Sequence, residues 1–149
     1  MEIERKFLVK KTEIPKDIKP YNIRHIEQGY LCLDPVIRIR RDNESYFLTY
    51  KSKGLMTREE HEMPLTKEAY THLKHKIDGR LIVKDRYMIP YDESLVIELD
   101  VFKDFPEPLV LAEVEFNSED EAKSFVPPKW FADDVTFSGK YHNSYLSTL

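Results

Sequence analysis

The chain has 149 residues, enough for one domain of ordinary size with a real apolar core, and we expect residues 1–149 to fold as a single unit. Apolar residues make up 41%, which excludes a disordered chain, and 34% are charged, so the fold must place an unusual number of ionic side chains. The net charge of −4 comes without a long block of either sign, which argues against a nucleic-acid partner.

The single cysteine, Cys32, cannot form an internal disulfide. The first residues lack the apolar run of a secretory signal, and no apolar stretch is long enough to span a bilayer. We therefore expect a cytoplasmic protein with no membrane partner. The sequence leaves the oligomeric state open, and a homodimer is compatible with it.

The first residues alternate in character. Glu2, Glu4 and Lys6 are spaced by two, and because successive side chains of a strand point to opposite faces, a strand here puts all three on one face. The other face carries Ile3, Phe7 and Val9, with Arg5 as an exception.

Seven further segments show the same period of two, so we predict about eight strands in all. These segments are 25–33, 36–41, 45–53, 57–64, 81–90, 95–102 and 110–116. In most of them one face is charged and the other carries Ile, Val, Leu or Phe. Gly29, inside the first of these segments, predicts a bulge or a close backbone approach.

Two helices are predicted between the strands. Thr66 is a suitable N-cap for the first, and Gly79 fits the position just past its end. Ser118 opens a capping box that predicts a second helix to about Phe125. The tail from Lys129 onward has weak periodicity.

The repeated pattern allows two architectures. In the first, an open sheet is covered by helices on its apolar face and leaves its charged face in water. In the second, about eight strands close into a barrel and the charges point into the lumen. Pattern alone favours the solvated face, because a buried charge must be paired, hydrated or bound to a ligand.

The identity of the charged residues changes that preference. Carboxylate oxygens are the ligands that Mg²⁺ takes, and arginine forks match phosphate oxygens, so both in one cavity describe a metal and polyphosphate site. The acidic set is Glu2, Glu4, Glu98, Asp100, Glu113 and Glu115. The basic set is Lys6, Arg38, Arg40, Lys51, Lys53, Arg58, Lys84 and Arg86.

Several short motifs occur in a fixed order along the chain. They are E-x-E-x-K from Glu2, R-x-R from Arg38, R-x-E-x-E from Arg58, K-x-R from Lys84, E-x-E from Glu113 and the closing K-Y-x-N from Lys140 to Asn143. Together they resemble the CYTH domain of the triphosphate tunnel metalloenzymes, from residue 2 to about residue 146. Any one motif alone is weak, and their order makes the resemblance specific.

The resemblance implies a mainly β (α+β) fold, a closed antiparallel eight-stranded β-barrel that forms a tunnel, with a few flanking helices. It implies a small-molecule triphosphate substrate and Mg²⁺ or Mn²⁺ as cofactor. The implied metal site consists of Glu2, Glu4 and Glu115 as ligands, with Glu113 close by as a fourth predicted metal-binding residue. The expected phosphate-binding residues are Lys6, Arg38, Arg40, Lys51, Arg58, Lys84, Arg86 and Lys140, the last on a segment that plugs one end of the tunnel. We expect these groups to be oriented by ion pairs with four further carboxylates, Glu60, Glu62, Glu98 and Asp100.

The expected reaction is hydrolysis of the terminal phosphoanhydride of inorganic triphosphate or a related triphosphate, with Glu2, Glu4, Lys6 and Lys84 as catalytic residues. Within the family the alternatives are a class IV adenylate cyclase, whose His-Phe upstream of E-x-E-x-K has no counterpart here, and a thiamine or nucleoside triphosphatase. Outside it are a polyphosphate- or nucleotide-binding module without catalysis and an interaction domain with a solvated ionic face. The five histidines, His142 among them, are expected to have surface or hydrogen-bonding roles.

Overall fold

The computed structural model describes residues 1–105 and 108–149, and this part of the chain forms ten strands and three helices. The strands are β1 (Glu2–Val9), β2 (Asn22–Leu33), β3 (Val36–Asp42), β4 (Ser45–Lys51), β5 (Thr57–Arg58), β6 (Glu60–Pro64), β7 (Asp78–Pro90), β8 (Val96–Phe102), β9 (Val110–Glu115) and β10 (Phe131–Asp134). The helices are α1 (Lys67–Lys74), α2 (Glu119–Ser124) and α3 (Asn143–Leu146).

The strands pair in the order β10-β1-β9-β8-β7-β2-β3-β4-β6, each antiparallel to its neighbour, and β5 pairs back onto β1. β5 and β6 are two parts of the strand predicted over 57–64, interrupted at Glu59. The sheet therefore returns to its first strand as a nearly closed antiparallel barrel, which confirms the predicted architecture. The strand count differs from eight because 57–64 is split and because the tail adds β10.

The charged faces of the strands point into this barrel. Lys84 is 1% exposed and Asp100 0% exposed, whereas charge on a solvated sheet would be open to water. The apolar faces point outward and build the main core with α2 and the tail, where Phe7, Val114 and Trp130 are buried together. The open sheet with a solvated ionic face is therefore wrong.

Arg5, the exception in the first strand, has a structural role on the outer face. Its guanidinium donates to the carbonyl oxygens of Ala122 at 3.0 Å and Phe125 at 3.1 Å, which lie at the end of α2. It also pairs with Asp134 on β10 at 2.9 Å. One side chain thus caps a helix and ties two outer elements to β1.

Both predicted helix starts are confirmed. The Thr66 hydroxyl accepts from the Ala69 N–H at 3.1 Å, and the Ser118 hydroxyl accepts from the Glu121 N–H at 3.1 Å. The prediction that the first helix runs to Gly79 is wrong, because α1 ends at Lys74.

Gly79 instead belongs to β7 and receives the end of the chain. Its φ of 68° is left-handed, and the carbonyl oxygen of Ser147 lies 2.2 Å from where a Cβ would stand. The neighbouring Arg80 N–H donates to that same oxygen at 2.7 Å. The glycine is therefore a docking point for the tail rather than a helix end.

Gly29 fulfils both parts of its prediction. The register of β2 against β7 shifts between Gln28 and Tyr30, which places a bulge at the glycine. A Cβ there would stand 2.7 Å from the Ile77 side chain, so the backbone approach is also close.

The tail contains the elements that sequence periodicity did not predict. β10 extends the edge of the barrel beside β1, and α3 follows it. Trp130 and Phe131 are buried in the main core, so their role is to dock the tail. Among the described residues, no helix has the length and apolar character needed to cross a membrane.

We expect Gly79→Ala to lower the free energy of unfolding by roughly 2–5 kcal/mol, from left-handed strain and the clash with the Ser147 carbonyl. Gly139 is the matched control, since its φ of 73° is also left-handed but nothing lies within 4 Å of where its Cβ would stand. Gly139→Ala should cost only about 1 kcal/mol. Chemical denaturation measures both, and equal losses would contradict tail docking at Gly79.

Candidate active site

The barrel encloses a cavity of about 510 Å³, a size typical of small-ligand sites. Nearly all the predicted site residues line it: Glu2, Glu4, Lys6, Arg38, Arg40, Lys51, Arg58, Glu60, Glu62, Lys84, Arg86, Glu98, Glu113 and Glu115. Asp100 lies behind the lining, fully buried. Lys140 is exposed and lies outside the lining.

Three carboxylates converge at one wall of the cavity. Glu2, Glu4 and Glu115 each offer an oxygen, and these oxygens lie within 4.8 Å of one another. The strand register places Glu4 directly opposite Glu115, an arrangement of like charges that destabilises a sheet unless a cation joins it. Burial, and then the negative charges of Glu113 and Glu2, raise the pKa of Glu4 to about 8. An all-oxygen donor set at this spacing fits a hard divalent cation.

Glu2 is the fixed member of this cluster. The Lys51 ammonium donates to its two oxygens at 3.0 and 3.1 Å, and the Arg58 guanidinium lies 3.3 Å away. Burial alone would raise the pKa of Glu2, but Lys51 and the other partners lower it to about 2. Glu2 is therefore ionised and oriented before any ligand binds. Glu60 supports it from behind through a 3.2 Å contact with Lys51.

Glu113 is engaged in ion pairs rather than in the carboxylate cluster. Its oxygens lie 3.2 Å from the Lys6 ammonium and 3.3 Å from the Arg86 guanidinium. Burial would raise the pKa of Glu113, but these two cations hold it well below its usual value. The carboxylate thus orients Lys6 and Arg86 along the wall.

Asp100 organises the most deeply buried part of the wall. It accepts from the Arg86 guanidinium at 2.7 and 2.9 Å in a bidentate fork, and from the Lys84 ammonium at 2.7 Å. Glu98 adds a third contact to Arg86 at 2.9 Å. Burial lowers the pKa of Lys84 to about 7 in spite of Asp100, so this amine can exchange a proton near neutral pH. The predicted supporting role of Asp100 has the geometry it requires.

Arg38 and Arg40 are different, because in the described part of the chain no carboxylate lies within ion-pair distance of either. Arg38 donates to the Thr49 hydroxyl at 3.1 Å, and Arg40 donates to the Gln28 side-chain oxygen at 2.8 Å. Burial and then the positive charges of Arg38 and Arg86 lower the pKa of Arg40 to about 10. Two adjacent guanidinium groups without counter-charges form an anion site.

Glu115 and the two arginines lie on opposite strands of the barrel. The arginines are on β3 and Glu115 is on β9. Counted around the barrel through β7 and β8, these strands are four steps apart, and counted the other way through β4 and β1 they are also four steps apart when β5 and β6 are taken as one strand. A molecule in the cavity therefore meets carboxylates on one side and guanidinium groups on the other. That arrangement suits a polyanion bridged to a metal ion.

The tail supplies cavity residues that sequence reasoning missed. His142, Asn143 and Ser144 line the cavity, and the Asn143 side-chain oxygen accepts from Lys84 at 2.8 Å and from Gln28 at 3.0 Å. The signal for Asn143 was its place in the closing K-Y-x-N motif. His142 had no such signal, since it occupies the unspecified position of that motif.

Comparison with known proteins gives consistent matches along the whole chain. A family model described as the CYTH domain matches residues 1–148. An inorganic triphosphatase of Nitrosomonas europaea is 39% identical over 149 residues, 98% of this chain and 96% of that protein. The crystal structure of an inorganic triphosphatase matches with a TM-score of 0.73 and 37% identity, covering 100% of this chain and 95% of that one. A putative adenylyl cyclase from Hippeastrum with a dominant triphosphatase activity shares the fold, with a TM-score of 0.61, 14% identity and 83% of each chain covered.

We expect Asp100→Ala to lower the free energy of unfolding by about 3–5 kcal/mol, because it leaves the Lys84 and Arg86 charges buried without their main partner. Glu44→Ala is the control, since Glu44 only makes an exposed 3.6 Å pair with Arg41. It should change stability by less than about 1 kcal/mol. Urea denaturation compares the two variants, and similar small losses would show that Asp100 does not hold the wall together.

Proposed function

The chain belongs to the CYTH domain family, and from that premise we propose that it is a metal-dependent triphosphatase that hydrolyses the terminal phosphoanhydride of inorganic triphosphate or a related triphosphate. The observation that carries the proposal is the charge arrangement within one cavity. One wall carries three converging carboxylates, of which Glu4 and Glu115 make no ion pair within the described part of the chain, and another wall carries guanidinium groups that have no carboxylate partner. The name of the Nitrosomonas europaea relative supports inorganic triphosphate as the first substrate to test.

Glu2, Glu4 and Glu115 would hold Mg²⁺ or Mn²⁺, because their oxygens converge within 4.8 Å of one another and carboxylate oxygens are the ligands of hard divalent cations. A cation bound there would orient and acidify the attacking water and neutralise charge on the phosphates. Glu113 stays paired with Lys6 and Arg86, and in this proposal it sets the position of those cations.

The remaining groups bind and orient the phosphate chain. Arg38 and Arg40 contact non-bridging oxygens, since their N–H groups are the ones without charged partners. Lys84 has two of its donors engaged by Asp100 and Asn143, which leaves one for the substrate. Its near-neutral pKa lets it hold or release a proton as charge develops on the leaving pyrophosphate. In the reaction, the bond from the terminal phosphorus to the bridging oxygen breaks as water adds to that phosphorus.

We also propose a cytoplasmic location, since the single cysteine is free and the chain has no disulfide to protect.

The substrate is tested by phosphate release from inorganic triphosphate, ATP, thiamine triphosphate and pyrophosphate, each with Mg²⁺, Mn²⁺ or a chelator. We expect inorganic triphosphate to give the highest kcat/KM and the chelator to abolish turnover. Activity that persists with the chelator would contradict the metal requirement. Inactivity on every substrate, together with tight triphosphate binding, would make the protein a binding module instead.

The carboxylate cluster is tested by Glu4→Gln, which keeps the shape of the side chain but removes a metal ligand. We expect kcat to fall by more than about a hundredfold, because even residues that only support a metal ligand cost 10–100-fold. The thermal shift produced by Mn²⁺ in the wild type should also disappear.

Glu68→Gln is the matched control, since Glu68 is exposed on α1. It should leave both the turnover and the Mn²⁺-induced shift unchanged. A Glu4→Gln variant with normal turnover and a normal thermal shift would refute the metal assignment.

A further inference from the structure

His142 occupies a fixed place in the cavity wall. It lies directly before α3, where Asn143 accepts hydrogen bonds from two residues of the barrel and Leu146 is buried in an apolar cluster. The Ser147 carbonyl is held by the Arg80 N–H at 2.7 Å. On the other side of His142, the Tyr141 carbonyl oxygen accepts from the Lys6 ammonium at 3.1 Å. The segment is therefore anchored on the barrel on both sides of His142, whose imidazole is only 7% exposed.

The imidazole carries an unused polar atom. Among the residues that the structure describes, two buried side-chain nitrogen or oxygen atoms have no hydrogen-bond partner, Nε of Arg38 and Nε2 of His142. Both residues line the main cavity. A buried polar atom without a partner is destabilising, so its occurrence calls for an explanation. For Arg38 the explanation is a bound anion, and the same cavity offers the same explanation for His142.

The electrostatic surroundings of the ring support an anionic ligand. Burial and then the positive charges of Lys6 and Arg58 lower the pKa of His142 to about 4, while Glu113 acts in the opposite direction. An anion that contacts Lys6 and Arg58 offsets their repulsion of a protonated ring. A polyanion in the cavity therefore favours the form of His142 that carries a proton on Nε2.

We propose that His142 is a substrate-binding residue that donates a hydrogen bond from Nε2 to a non-bridging oxygen of the triphosphate. The contact comes from the tail, so the tail completes the site that the barrel strands build. This inference rests on the proposed function, because it assumes that a triphosphate occupies the cavity. It assigns the histidine, rather than the exposed Lys140, as the tail residue that touches the substrate.

Two variants of His142 separate the hydrogen bond from the shape of the ring. His142→Phe keeps a planar ring and removes the donor, whereas His142→Gln keeps an N–H near the position of Nε2. His61→Gln is the control, since His61 is an exposed residue on β6. Binding of imidotriphosphate, a non-hydrolysable analogue, is measured by calorimetry, and KM and kcat are measured with inorganic triphosphate.

We expect His142→Phe to weaken imidotriphosphate binding and raise KM roughly tenfold, the ratio that about 1.4 kcal/mol represents. Its kcat should change less, because the contact is made to bound substrate. His142→Gln should recover most of the affinity, and His61→Gln should match the wild type. An unchanged affinity in His142→Phe would overturn the inference.

A second measurement needs no variant. In protein labelled with ¹⁵N at histidine, the His142 Nε2 resonance should be that of a protonated nitrogen in the imidotriphosphate complex. A wild type that binds the analogue while this resonance is that of an unprotonated nitrogen overturns the inference and leaves the proposed function standing. A wild type that neither binds the analogue nor hydrolyses triphosphate overturns the proposed function, and the inference with it.

Discussion

Burying charge inside a barrel is the constraint on which this structure depends. Moving an ionised side chain out of water costs several kcal/mol, which is recovered only when an opposite charge and hydrogen bonds meet it. The lumen meets that requirement through chains of ion pairs, with Asp100 between Lys84 and Arg86 and Glu113 between Arg86 and Lys6. Most of the apolar residues lie on the outer face, where helices and the tail cover them. A second apolar cluster, with Phe102 and Leu111 on the same face as Lys84 and Asp100, packs against Leu146 of α3. A sheet that is polar inside and apolar outside is stable only because both conditions hold together.

The same constraint separates structural charges from functional ones. Where every charge has a partner of opposite sign, as at Asp100, the residues stabilise the wall and orient their neighbours. Glu4, which lies beside Glu115, and the two arginines of β3 have no such ion pairs among the described residues. Their placement has a cost in free energy that folding alone does not explain. One group has no cation beside it and the other no anion, and in the proposed function a metal ion carrying a polyphosphate would compensate both. The activity proposed for the chain therefore rests on the charges that have no partner in the lumen as much as on those that are paired.

Sequence patterns were sufficient for the local features of this fold. The alternation from Glu2 to Phe7 predicted the strand, and Thr66 and Ser118 predicted both helix starts, because these signals depend only on neighbouring residues. The prediction that the charged faces point into the barrel came from the combination of carboxylates with arginines, and not from the alternating pattern. Local signals do not give long-range contacts. The sequence therefore predicts a helix end at Gly79, whereas the glycine is needed to accommodate the Ser147 carbonyl, 68 positions further along the chain. For the same reason the sequence does not predict His142 in the site, because only the packing of the tail against the barrel brings it there.

The central claim is that the three converging carboxylates and the two arginines of β3 are two halves of one site. A crystal structure of the protein with Mn²⁺ and imidotriphosphate tests it most directly, because manganese can be located by its anomalous scattering. The account predicts an anomalous peak among the oxygens of Glu2, Glu4 and Glu115, with phosphate density extending from it across the lumen to Arg38 and Arg40. Manganese bound elsewhere, or a lumen empty of phosphate at saturating ligand, would contradict the account.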